Sequence, residues 1–121
     1  MIAASLIAFI LAVLFGLAIV VLALRRQRSS LPLAVGHVVF ALAGLILLLR
    51  HLITAPAPTP RQYNLAAFLV VMALLGGLVL LALRVGRREF CTPPPMFVVI
   101  MHAIMGLAAL FLIAVGYTHG A

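Results

Sequence analysis

Two histidines sit inside otherwise apolar stretches of the chain. His37 comes five residues after Pro32 in the run Leu31–Leu49, and His102 seven after Pro95 in the run Met96–Tyr117. Neither run contains Asp, Glu, Lys or Arg. An imidazole can donate or accept a hydrogen bond, carry a proton or ligate a metal. A polar side chain within a long apolar helix is costly and tends to mark function. At the helical rise, the two rings lie about 7–8 and 10–11 Å in from their prolines. Histidines at matching depth on two facing helices can ligate one haem iron from both sides. The plainer alternative is that each ring hydrogen-bonds across helices or caps backbone groups near an interface.

The neighbouring residues bear on both readings. Ala41 and Gly44 follow His37 by one and two turns, and Gly106 and Ala109 follow His102 in the same register. Small residues there would leave room for a porphyrin. Arg25 and Arg84 lie at the ends of the adjoining runs and could pair with haem propionates. His51 stands fourteen residues beyond His37, on the same helical face about 21 Å away. With His119 it forms a candidate pair for a second haem. Met96, Met101 and Met105 surround His102. Thioethers with imidazole suit copper(I), but flexible apolar packing is the simpler account. Cys91 has no visible base or partner and is expected to be a bystander thiol. Gly76-Gly77 is expected to permit close helix approach.

The stripe His37, Ala41, Gly44, Leu48, His51 resembles the haem-bearing helices of membrane b-type cytochromes, such as the cytochrome b subunits of quinol-oxidising complexes. The resemblance covers the runs with His37 and His102 only. It implies a four-helix membrane subunit with haem b held by His37 and His102, and quinone as an electron partner. In that family, paired histidines on two helices hold two stacked haems. Here the position fourteen beyond His102 is Gly116, and the fourth histidine is His119.

What must position these residues follows from composition. Of 121 residues, 68% are apolar and 7% charged, with a mean hydropathy of +1.42. A soluble domain runs nearer half apolar and a quarter charged. The composition therefore predicts an all-α integral membrane protein and excludes a soluble fold or disorder. Four runs lack charge and are long enough to cross a bilayer: 1–24, 31–49, 63–83 and 96–117. They are read as one membrane domain, 1–121, a bundle of four transmembrane helices. The first run lacks a basic leader and is read as a retained span.

The basic residues are eight arginines, and the only acid is Glu89. A net charge of +7 would suggest nucleic acid for a soluble protein. Here the arginines fall in short gaps, so lipid headgroups, cofactor carboxylates or acidic subunits are the expected partners. Arg25, Arg26 and Arg28 occupy the first gap, and Arg84, Arg87 and Arg88 the third. The positive-inside rule predicts loops 25–30 and 84–95 in the cytoplasm of a bacterial-type inner membrane, with both termini outside. The runs after Pro32 and Pro95 resemble each other, and Ala23-Leu24-Arg25 matches Ala82-Leu83-Arg84. The chain thus reads as a tandem repeat of two helical hairpins.

No run holds an acidic or basic residue for cation transport, and no hydrolase triad or phosphate loop is present. A small channel or carrier is the weakest expectation. The favoured one is an electron-transfer subunit, at most part of an oxidoreductase complex, binding haem b and exchanging electrons with quinone or a partner chain. The alternative is a cofactor-free accessory subunit of a larger membrane complex, or of a homo-oligomer.

Overall fold

The computed structural model describes residues 1–25, 31–55, 60–86 and 95–119, with backbone alone at 84–86. Cys91, Glu89, Arg26, Arg28, Arg87, Arg88 and the side chain of Arg84 lie outside the described residues. Four helices account for nearly all of the described chain: α1 Ile2–Leu24, α2 Leu31–Thr54, α3 Arg61–Gly86 and α4 Met96–His119. All four are long and apolar enough to cross a membrane.

Three helices run past the charge-free limits expected from sequence. Helix α2 continues through Arg50 and His51 to Thr54, α3 begins at Arg61 rather than Tyr63, and α4 ends at His119 rather than Tyr117. The charge-free window marks the apolar stretch, but arginine is a good helix former and propagates the backbone pattern beyond it. Local chemistry sets the real ends. Ala55 precedes Pro56, which disfavours helical backbone at Ala55. The Thr54 hydroxyl turns back to donate to the Arg50 carbonyl at 2.8 Å. The Pro95 carbonyl accepts from the amides of Val98 and Val99 at the start of α4.

Helices α1 and α2 form one tightly packed antiparallel hairpin, and α3 and α4 a second. The hairpins meet through α1 against α4 and α2 against α3, which leaves α2 and α4 on a diagonal across the bundle. Both termini and the α2–α3 connection lie at one end, the terminal end. The C-terminal ends of α1 and α3 and the N-terminal ends of α2 and α4 lie at the other, the basic end, and the stretches 25–30 and 84–95 that join them hold six of the eight arginines.

The packed core occupies the terminal half. Phe9, Leu45, Leu48, Tyr63, Ala66, Ala67, Val70, Ala109 and Ile113 form one cluster drawn from all four helices. Buried Ser5 donates to the Gly44 carbonyl at 2.8 Å, satisfying its hydroxyl inside the core. Gly44 is needed there, because a Cβ would stand 3.0 Å from three atoms of the Phe9 ring. Gly116 receives Tyr63 in the same manner, where a Cβ would lie 2.5 Å from Cε1 of the tyrosine. In the basic half, no described side chain from Val13 to Leu24, Leu31 to Ala43, Leu74 to Leu83 or Met96 to Ala108 is buried.

The hairpins correspond position by position. Fully buried Ser5 and Ala66 occupy equivalent places on α1 and α3. So do Gly44 and Ala109, and Leu48 and Ile113, on α2 and α4. Counterparts on α1 and α3 are 61 residues apart, so Ala23-Leu24-Arg25 and Ala82-Leu83-Arg84, 59 apart, are not counterparts in the packing.

Candidate functional site

His37 and His102 meet across the diagonal, at the boundary between the packed half and the basic half. Their ring centroids are 5.8 Å apart, with the ring planes inclined at 61°. Helices α2 and α4 run in the same direction, so residues at equivalent depths in the two repeats come level. That is why matching distances from Pro32 and Pro95 translate into proximity.

Each ring is tied to the other helix of its own hairpin. His37 Nδ1 lies 2.7 Å from the Ala12 carbonyl oxygen, and His102 Nδ1 lies 2.7 Å from that of Ala73. A carbonyl oxygen only accepts, so each Nδ1 carries the proton and donates it. A neutral imidazole has one proton, which leaves Nε2 of each ring with a free lone pair. The two nitrogens of the ring point in roughly opposite directions. The hydrogen-bonding alternative therefore accounts for one nitrogen of each ring. Metal-bound histidines characteristically hold their second nitrogen on a carbonyl or carboxylate in this way.

Both rings are half-buried and rest on glycine. A Cβ at Gly16 would lie 3.0 Å from both Cε1 and Nδ1 of His37. A Cβ at Gly77 would lie 3.1 Å from Cε1 of His102, and one at Gly76 would lie 3.5 Å from its Cβ. Beside His37, Phe15 stacks on Phe40 with centroids 5.5 Å apart and covers Gly36.

The small residues expected to make room for a porphyrin divide into two groups. Gly44 and Ala109 are buried in the helix packing, with Phe9 against Gly44. Gly106 is open, since a Cβ there would meet nothing within 4 Å, and Ala41 is half-buried. Of the two glycines, Gly106 leaves its Cβ direction open and Gly44 does not. Arg25 is exposed at the C-terminal end of α1. Arg84 lies on α3, its side chain undescribed.

The remaining candidates are placed differently. His51 packs edge-on against Tyr63, with centroids 5.6 Å apart and planes at 87°. Tyr63 in turn fills the space over Gly116, the position where the repeat would place a counterpart of His51. His119 is exposed in the last turn of α4. Met96 and Met101 are exposed and Met105 half-buried. Among the described residues, no group of three or more His, Cys, Asp or Glu side chains gathers around a metal-sized point.

Sequence reasoning missed the carbonyls of Ala12 and Ala73 and the role of Gly16. The available signal was the pair Ala12-x-x-x-Gly16 and Ala73-x-x-x-Gly77, one per hairpin. The chain matches no family model, no curated protein and no solved structure.

Proposed function

We propose that the chain is a membrane-spanning electron-transfer subunit that holds one haem b between His37 and His102. The observation that carries this reading is the close pair of imidazoles, each anchored through Nδ1, which leaves Nε2 as the unprotonated nitrogen of each neutral ring. Ligating nitrogens sit about 2 Å from their metal. The ring centroids are 5.8 Å apart, a separation within the reach of two imidazoles that share one metal ion. The donor set is symmetric and purely imidazole, the set that bis-histidine haem requires. The lack of buried side chains in the basic half and the open face at Gly106 favour a flat macrocycle there.

Arg25 lies nine residues beyond Gly16 on α1, and Arg84 seven beyond Gly77 on α3. Those steps correspond to about 13 and 10 Å along the helices. Both arginines are thus on the side where propionates would meet water, and guanidinium pairs well with carboxylate. When bound, the haem would supply one-electron chemistry. The protein's contribution would be to hold the two imidazoles of His37 and His102 and to keep them in an apolar surrounding. A quinone reaching the bundle from the lipid, or a partner redox chain, would exchange the electron.

The six arginines at the basic end favour a cytoplasmic placement of that end in a bacterial-type inner membrane, with both termini outside. Other membrane subunits, or a second copy, would complete the electron path. A second haem on His51 and His119 is not part of this proposal, because Tyr63 occupies the face of His51.

The test is a reduced-minus-oxidised spectrum of the chain purified in mild detergent, with haem quantified per polypeptide. A b-type spectrum near one haem per chain, lost in His37→Ala and in His102→Ala, is the expected result. Folded but colourless protein would overturn it and leave the cofactor-free accessory subunit as the better account.

A further inference from the structure

We propose that Gly16 and Gly77 are positioning residues, each seating one imidazole so that its Nδ1 proton is delivered to a backbone carbonyl and its Nε2 is kept free. The same three-part arrangement occurs twice. Ala12 supplies the carbonyl, Gly16 lies one turn further along α1, and His37 reaches across from α2. Ala73, Gly77 and His102 repeat it on α3 and α4. The carbonyls are already engaged in their own helices, and each uses its second lone pair for the histidine.

The glycines act through crowding that they avoid. A methyl at Gly16 would approach Nδ1 of His37 to 3.0 Å, the atom that makes the 2.7 Å hydrogen bond. A methyl at Gly77 would press on Cε1 of His102 at 3.1 Å and stand 3.5 Å from its Nδ1. The helix backbone is held by its own ladder, so the ring is the part that gives way. Displacement of a few tenths of an ångström lengthens the bond and releases the ring to turn or to adopt the other tautomer. The competing explanation is that these glycines merely allow close helix packing. Gly44 separates the two ideas, because it serves close packing alone. Its absent Cβ would meet Phe9 at 3.0 Å, on the same α1–α2 interface but away from either imidazole.

The consequence for redox chemistry rests on the haem reading, but the tautomer does not. A hydrogen bond from Nδ1 makes the imidazole a stronger donor to a metal at Nε2. Weakening it lowers the electron density delivered to the iron and favours the reduced state.

The experiment uses full-length wild type, Gly16→Ala, Gly77→Ala and Gly44→Ala in detergent, labelled with nitrogen-15 at histidine. If haem is present, spectra are taken in the reduced, diamagnetic form. Wild type is expected to show protonated Nδ1 and an Nε2 without hydrogen for both His37 and His102. Gly16→Ala should disturb the His37 signals alone and Gly77→Ala those of His102 alone, while Gly44→Ala leaves both in place. In haem-loaded protein the midpoint potential should rise in the first two variants and stay unchanged in the third. Protonated Nε2 in wild type would overturn the proposal. So would unaltered spectra in both seat variants, or an equal disturbance from Gly44→Ala. Colourless wild type would defeat the haem reading and leave the tautomer measurement decisive for this one. Should Gly16→Ala fail to fold, the less crowded Gly77→Ala carries the test.

Discussion

At the scale of single residues, the molecule separates polar groups that hold helices together from polar groups that keep a valence free. Ser5 belongs to the first kind. Its hydroxyl is buried and donates to Gly44, but the equivalent position in the second hairpin is Ala66, equally buried without any such bond. Alanine therefore fits this place in the packing. A net hydrogen bond of this type is worth about 1 kcal/mol or less. Ser5→Ala should lower stability by no more than about that amount, read from unfolding in mixed detergent, and should leave the histidine spectra unchanged. His37 and His102 belong to the second kind. Replacing either should abolish haem binding while the helical content measured by circular dichroism stays the same. Their pairing was legible because distance from a helix start is a quantity a sequence carries directly. Their carbonyl partners were not legible, because every residue offers a carbonyl and only the packing chooses which one a side chain reaches.

At the scale of the element, the helices owe their contacts to a few places where side-chain volume is missing or complete. Leu48 and Ile113 are fully buried at equivalent positions on α2 and α4. Leu48→Ala should cost about 2 to 5 kcal/mol, and Ile113→Ala a similar amount. Gly116 presents the reverse case, since an added methyl collides with the Tyr63 ring. Gly116→Ala should cost about 1 to 3 kcal/mol, and much less when it is added to Tyr63→Ala, where the ring is gone. The same cost in both backgrounds would show that Tyr63 is not what Gly116 accommodates. The four helices were legible from their charge-free runs, whereas their ends were not. Arg50 and Arg61 end the apolar stretch without ending the helix, because hydropathy reports the solvent and the backbone obeys propensity and the position of the next proline. Gly44 and Ala109 were misjudged for a related reason. Smallness shows that something approaches, and the sequence alone does not say whether that is a ligand or a neighbouring helix.

At the scale of the whole molecule, the two hairpins divide the bundle lengthwise, and depth divides it crosswise into a packed terminal half and a basic half without buried side chains. The arginine distribution predicts which half faces the cytoplasm. A cysteine at Ala55, in a variant with Cys91 replaced by Ser, should react with an impermeant maleimide added outside intact cells. A cysteine at Arg25 should react only after the membrane is broken, and the opposite pattern would invert the topology. The repeat was legible at the histidines but read two residues out of register along α1 and α3, because the two connections differ in length and a single offset cannot align both helix pairs.

The division of the site between hairpins has a mechanical side. Each hairpin carries one of the two imidazoles, and the contacts between hairpins are sparse compared with those inside each. Anything bound by both nitrogens would rivet two otherwise loosely joined pieces, so its binding free energy would appear as resistance of the halves to separation. The loaded chain should therefore survive heating and harsh detergent longer than the unloaded one. Losing either histidine should weaken the assembly by withdrawing the rivet, with both hairpins left intact.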